Sequence, residues 1–75
     1  MINTRLLKAK IVEAGLSQRE IVRIMKREYP ESSITLNSLN RKINNTRDFK
    51  ISEANLVCKI CGIKDPALMK QIFFE

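Results

Sequence analysis

Only four residues in this 75-residue chain are glycine or proline, and their positions divide it into segments short enough to favour small helices. Glycine reaches the left-handed backbone region that closes a helix, and proline disfavours helical geometry in the residue before it. Gly15, Pro30, Gly62 and Pro66 therefore read as helix boundaries. Between them apolar residues recur at spacings of three and four, with no strand-like alternation over any useful length.

From Thr4 to Ala14 the helical face is Leu7, Ile11 and Ala14, and Gly15 closes it. Ser17-Gln18-Arg19-Glu20 fits a capping box, with Leu16 and Ile21 as the flanking hydrophobic staple. That helix continues through Ile24 and Met25 and ends near Glu28, ahead of Tyr29-Pro30. After Glu31-Ser32-Ser33, a third helix is carried by Leu36, Leu39 and Ile43, capped by Thr35 or a neighbouring serine and ended by Asn44-Asn45-Thr46. Ile51, Ala54, Cys58 and Cys61 share the face of a fourth, closed by Gly62. Asp65-Pro66 opens a fifth through Leu68, Met69, Ile72 and Phe73. The expectation is an all-α protein, a compact five-helix bundle, with residues 1–75 as one domain.

A chain of this length buries only about 60% of its unfolded surface, so a partner or self-association is expected to add stability. Fourteen basic against eight acidic residues, net +6, point to a polyanionic partner. Residues 1–30 carry seven basic and three acidic side chains and residues 31–50 four and two, whereas residues 51–75 are balanced at three each. The longest apolar runs are three residues, against the roughly 20 that span a bilayer, so no membrane partner is expected. The basic, charge-interrupted start and two cysteines favour a cytoplasmic location.

Catalysis finds little support. The chain has no histidine, which removes the usual proton shuttle near neutral pH and the commonest metal ligand. Cys58-Lys59-Ile60-Cys61 has CxxC spacing, but no second Cys or His pair completes a zinc site, and the thiols fall near a helix end rather than at an N-terminus that would activate them. They read as core. Glu13, Glu20 and Glu28 show no pairing for acid–base work. A non-enzymatic protein without cofactor or metal is expected.

The second and third helices stand in helix-turn-helix order. In that arrangement the later helix enters the major groove and the earlier one holds phosphates at its N-terminus. With Leu39 and Ile43 inward, Asn37, Ser38, Asn40, Arg41 and Asn44 lie outward, and these are residue types that pair with base edges. Thr35 opens this surface. Leu36 either completes the core or projects toward a thymine methyl. Gln18 and Arg19 sit where a helix N-terminus meets a phosphate, and Arg41, Lys42, Arg47 and Lys50 flank the third helix as further backbone contacts. An RNA-binding role is less favoured, because Tyr29, Phe49, Phe73 and Phe74 form no single stacking platform.

Gly15-Leu16-Ser17-Gln18-Arg19-Glu20-Ile21 resembles the opening of the lambda-repressor/Cro-like helix-turn-helix of phage regulators. Ser38-Leu39-Asn40-Arg41-Lys42-Ile43-Asn44-Asn45, Phe49-Lys50-Ile51-Ser52-Glu53 and the closing Ile72-Phe73-Phe74 are similar to small Cro-like regulators of Gram-positive phages. The resemblance covers essentially the whole chain. It departs from the family in about seven extra residues within Lys26 to Ser33, which lengthen the link between the two helices, and in Asn45 where a glycine is usual.

The resemblance implies one of two activities in a lysis–lysogeny switch. One is a Cro-like repressor occupying double-stranded operator DNA, commonly as a homodimer on two half-sites. The other is an antirepressor, or modulator of repression, that binds the phage lysogenic repressor and changes its DNA binding. For a protein interface the candidates are Tyr29, Met69, Ile72, Phe73 and Phe74, weighed against a role in sealing the core.

Overall fold

The computed structural model describes residues 2–74, and these are all-helical with no strand. Helix α1 spans Thr4–Glu13, α2 Gln18–Glu28, α3 Leu36–Ile43, α4 Ile51–Cys61 and α5 Pro66–Met69, the last running into a π-helical turn at Lys70–Phe74. The Cα radius of gyration of 11.1 Å matches the roughly 11 Å expected of a compact 75-residue domain.

Three helices end in the same way. Gly15, Asn45 and Gly62 each have a positive φ, at 73°, 64° and 72°. At each end the residue after the left-handed one donates to a carbonyl five positions back: Leu16 to Ile11, Thr46 to Arg41 and Ile63 to Cys58, at 2.8–3.1 Å. The left-handed residue itself donates three positions back, to Val12, Lys42 and Lys59 respectively. This Schellman pairing satisfies carbonyls that a helix end otherwise leaves without partners. It also turns Leu16 and Ile63 into the apolar interior.

Helix starts follow local chemistry too. Ser17 and Glu20 form the expected capping box in both directions, at 3.2 and 3.1 Å. Thr35 caps α3 by accepting from the Ser38 amide at 3.1 Å, and Asp65 caps α5 by accepting from Ala67 at 3.0 Å. Asn3 caps α1. Leu16, Ile34 and Phe49 each stand one residue before a cap and join the core with Ile21, Leu39 and Ala54, the partners a hydrophobic staple requires.

The core draws on every helix except the four-residue α5, whose Leu68 and Met69 only pack against it: Leu7 and Ile11; Ile21, Val22 and Met25; Leu39 and Ile43; Ala54, Val57 and Cys58; then Ile63, Ile72 and Phe73, with Ile34 from the α2–α3 connection. Burial of side chains this size stabilises by roughly 1.5–3 kcal/mol each, before chain entropy offsets most of the total. Phe73 meets Phe49 edge-on, with centroids 5.4 Å apart and ring planes at 82°.

Three expectations about the core are corrected and one open alternative is decided. Ala14, placed on the α1 apolar face, is exposed at the helix end. Ile51 is 70% exposed, because burial of its face of α4 begins only at Ala54. Leu36 is not core: Ile34, in the extended segment before the cap, fills the interior at 3% exposure. On α2, Val22 is buried whereas Ile24 is half-buried, so the buried stripe lies one position away from its expected edge.

Asn45 does more than end α3. Its Oδ1 accepts from the Ile2 backbone amide at 2.9 Å, while its Nδ2 donates to the Ile2 carbonyl at 3.0 Å and to Thr4 Oγ1 at 3.1 Å. Thr4 Oγ1 in turn donates to the Ile43 carbonyl, and the Asn3 amide donates to the Ile72 carbonyl at 2.7 Å. The N-terminal segment is thus stitched to the end of α3 and to the C-terminal turn. Asn45→Ala removes three hydrogen bonds and puts a less tolerant residue in the left-handed region, so urea unfolding should show a loss of about 2–4 kcal/mol. Asn45→Gly should recover about 1 kcal/mol of that loss by restoring backbone freedom alone.

Candidate nucleic-acid interface

Helix α3 divides cleanly. Leu39, Lys42 and Ile43 are buried, Ser38 is half-buried, and Leu36, Asn37, Asn40, Arg41 and Asn44 are exposed, with Thr35 exposed just before them. The outward side chains are those whose donors and acceptors suit base edges.

Two of them are held in place. Asn40 Nδ2 donates to Gln18 Oε1 at 3.2 Å, and Asn44 Nδ2 donates to Asn40 Oδ1 at 3.1 Å. These bonds form a chain from the N-terminus of α2 along the outer face of α3. The structure therefore brings Gln18, expected at a phosphate, together with Asn40, expected at a base. The bonds fix which amide group each side chain presents outward, lowering the entropy lost when a ligand replaces solvent there.

The α2–α3 connection runs over residues 29–35, so it is not a tight turn. Tyr29 caps α2 through its amide, which donates to the Met25 carbonyl at 2.8 Å, and Ser32 donates back to Tyr29 at 2.9 Å. Even with this longer link, α2 packs directly against α3.

Lys42 is a correction. It was expected at a phosphate, yet it is 8% exposed and turns inward to pair with Glu53 on α4. Its position one residue before Ile43 puts it on the inner edge of α3, where a free ammonium would be strongly disfavoured without that carboxylate. Arg19, Arg41, Arg47 and Lys50 remain exposed. The Arg41 carbonyl accepts from both the amide and hydroxyl of Thr46, at 2.9 and 2.8 Å, which anchors the backbone beneath its side chain.

Two cations were missed: Arg23 and Lys26. With Arg19 they form an i, i+4, i+7 row, all exposed, along the outside of α2. They line, with Val22 and Leu36, a cleft of about 400 Å³ between α2 and the start of α3, and no carboxylate is among its lining residues. The signal was present in the sequence as the spacing of the three cations.

The expected protein-contact residues separate. Ile72 and Phe73 are buried at 0% and 8%, which corrects their assignment to an interface: the π-helical turn directs both into the core. Met69 is half-buried against that core, while Phe74 is 57% exposed. Phe74 and Ile51 flank a groove of about 200 Å³ whose rim includes Arg47, Asp48 and Lys50. Tyr29 lies in a different cleft, with Ser32, Ser33, Lys50 and Leu56.

Burial raises both thiols, and Cys61 reaches about 11 through burial and then the neighbouring Cys58. Both are therefore protonated at neutral pH, the form that is a poor nucleophile. No described helix is long and apolar enough to cross a membrane.

No family model, curated protein or solved structure matches this chain.

The Lys42–Glu53 pair fixes the inner edge of α3 and makes a testable pH dependence. Burial alone would raise the Glu53 carboxyl, but the hydrogen bonds from Lys42 and from the Lys50 amide (2.9 Å), with both positive charges, outweigh it and hold the carboxyl below its ordinary 4.5. A lowered folded-state value contributes stability above the unfolded-state pKa, and that stability is lost as pH falls through the folded value. Urea midpoints should therefore drop in acid below about pH 4.5, and Glu53→Gln should be less stable near neutrality but show a flatter acid limb.

Proposed function

We propose that this protein is a Cro-like transcriptional regulator that binds double-stranded operator DNA, acting in the bacterial host cytoplasm within a phage lysis–lysogeny switch. In this reading α3 lies in the major groove. Asn37, Asn40, Arg41 and Asn44 meet base edges, while Gln18, Arg19, Arg47 and Lys50 meet phosphates. The observation that carries it is the joining of α2 and α3 at two places: the cationic row of α2 lines a cleft with Leu36 at the start of α3, and Gln18 at the start of α2 accepts from the outward Asn40. A polyanion with hydrogen-bonding edges between its charges is the partner such a surface fits. The resemblance of Gly15 to Ile21 and of Ser38 to Asn45 to Cro-like regulators supports the same reading.

Each base contact can discriminate by about 1–3 kcal/mol, whereas phosphate contacts supply affinity that falls with salt. A second reading, a modulator that binds the lysogenic repressor, draws on the groove beside α4, where the exposed Ile51 and Phe74 stand at a rim that includes Arg47 and Lys50.

Fluorescence anisotropy on the DNA flanking the gene, against a scrambled duplex at two salt concentrations, tests the first reading. Selective, salt-sensitive binding is expected, weakened about tenfold or more by Arg41→Ala or Asn40→Ala. Absence of selective binding by the protein alone, together with altered DNA binding by the repressor in its presence, would transfer the assignment to the second reading.

A further inference from the structure

Leu36 is a large apolar side chain left 37% exposed although its spacing from Leu39 and Ile43 suits the core. Ile34 is buried two residues earlier, whereas Leu36, the first residue of α3, lines the α2–α3 cleft. Around it are the cations Arg19, Arg23 and Lys26, with Val22 behind. Neither feature is explained by the other: a simple anion would leave the leucine unused, and an apolar peptide would leave three positive charges unmatched.

The partner must carry dense negative charge and, within reach of it, an exposed apolar group. Duplex DNA presents that combination in its major groove, where the C5 methyl of thymine projects between two phosphate-bearing strands. We propose that Leu36 is a specificity-determining contact that reads a thymine methyl, with Arg19, Arg23 and Lys26 holding the adjacent phosphates so that the leucine reaches the base edge. This rests on the operator-binding reading and adds a preference that the amides of α3 do not supply. Asparagine and arginine choose by hydrogen bonds, whereas Leu36 chooses by burying a methyl group.

The test uses a duplex selected by the wild-type protein from a random-sequence pool, in which each thymine is then replaced singly by deoxyuridine, removing only the methyl. One such position should weaken wild-type binding about fourfold, the value of one buried methyl. Leu36→Ala, exposed and so expected to fold normally by circular dichroism, should bind the thymine and uracil duplexes equally. Arg23→Ala should weaken all duplexes alike and reduce the salt dependence by about one phosphate contact. Selective binding with no uracil-sensitive position, or sensitivity that persists in Leu36→Ala, would overturn the Leu36 assignment while leaving the operator reading intact. Failure of the wild-type protein to select any duplex would overturn the operator reading and this inference with it.

Discussion

The end of α3 at Asn45 governs where the rest of the molecule can present its polar face. A left-handed residue there lets Thr46 fold back onto the Arg41 carbonyl, and the same side chain clasps the backbone of Ile2 from both sides. Without that clasp the N-terminal segment would keep only the Thr4 hydroxyl bond to the Ile43 carbonyl as a side-chain tie to α3, and α1 would lose a constraint on its entry. With it, one end of α3 is fixed to the N-terminus while Leu39 and Ile43 fix its inner face. What remains outward is the row of asparagines and Arg41.

The Lys42–Glu53 pair completes that orientation. Rotating α3 to bring Lys42 to the surface would pull it from its carboxylate and leave Glu53 half-buried with only the Lys50 amide as a hydrogen-bond donor. Such rotation is resisted by the penalty of separating two sheltered charges. The Gln18–Asn40–Asn44 chain acts on the outer side of the same helix. A ligand on α3 therefore meets a surface whose register is already set from within and without, so less of its binding free energy goes into ordering side chains.

Features governed by neighbouring residues were legible in the sequence. Gly15 and Gly62 as helix ends, the Ser17–Glu20 box and the Asp65-Pro66 start depend on contacts a few positions apart, and the helices fall where those signals put them. The clasp of Asn45 on Ile2 was not legible, because its partner is 43 positions away. Lys42 carries the same charge whether it faces solvent or Glu53, so only packing distinguishes the two. Ile34 was missed as a lone apolar residue outside any periodic run, although it is buried while Leu36 is not. On the site, Arg23 and Lys26 were readable from their spacing with Arg19, whereas the cleft they form with Leu36 depends on how α2 and α3 pack.

The central claim is that the joined surface of α2 and α3, rather than the groove beside Ile51 and Phe74, receives the partner. Backbone amide NMR of the labelled protein during titration with duplex DNA tests it most directly. The account predicts shift changes concentrated over residues 18–26, 35–44 and at the phosphate-facing Arg47 and Lys50, with the amides around Ala54 and Phe74 unmoved. Changes centred on residues 49–54 and 72–74, with α3 unperturbed, would contradict it.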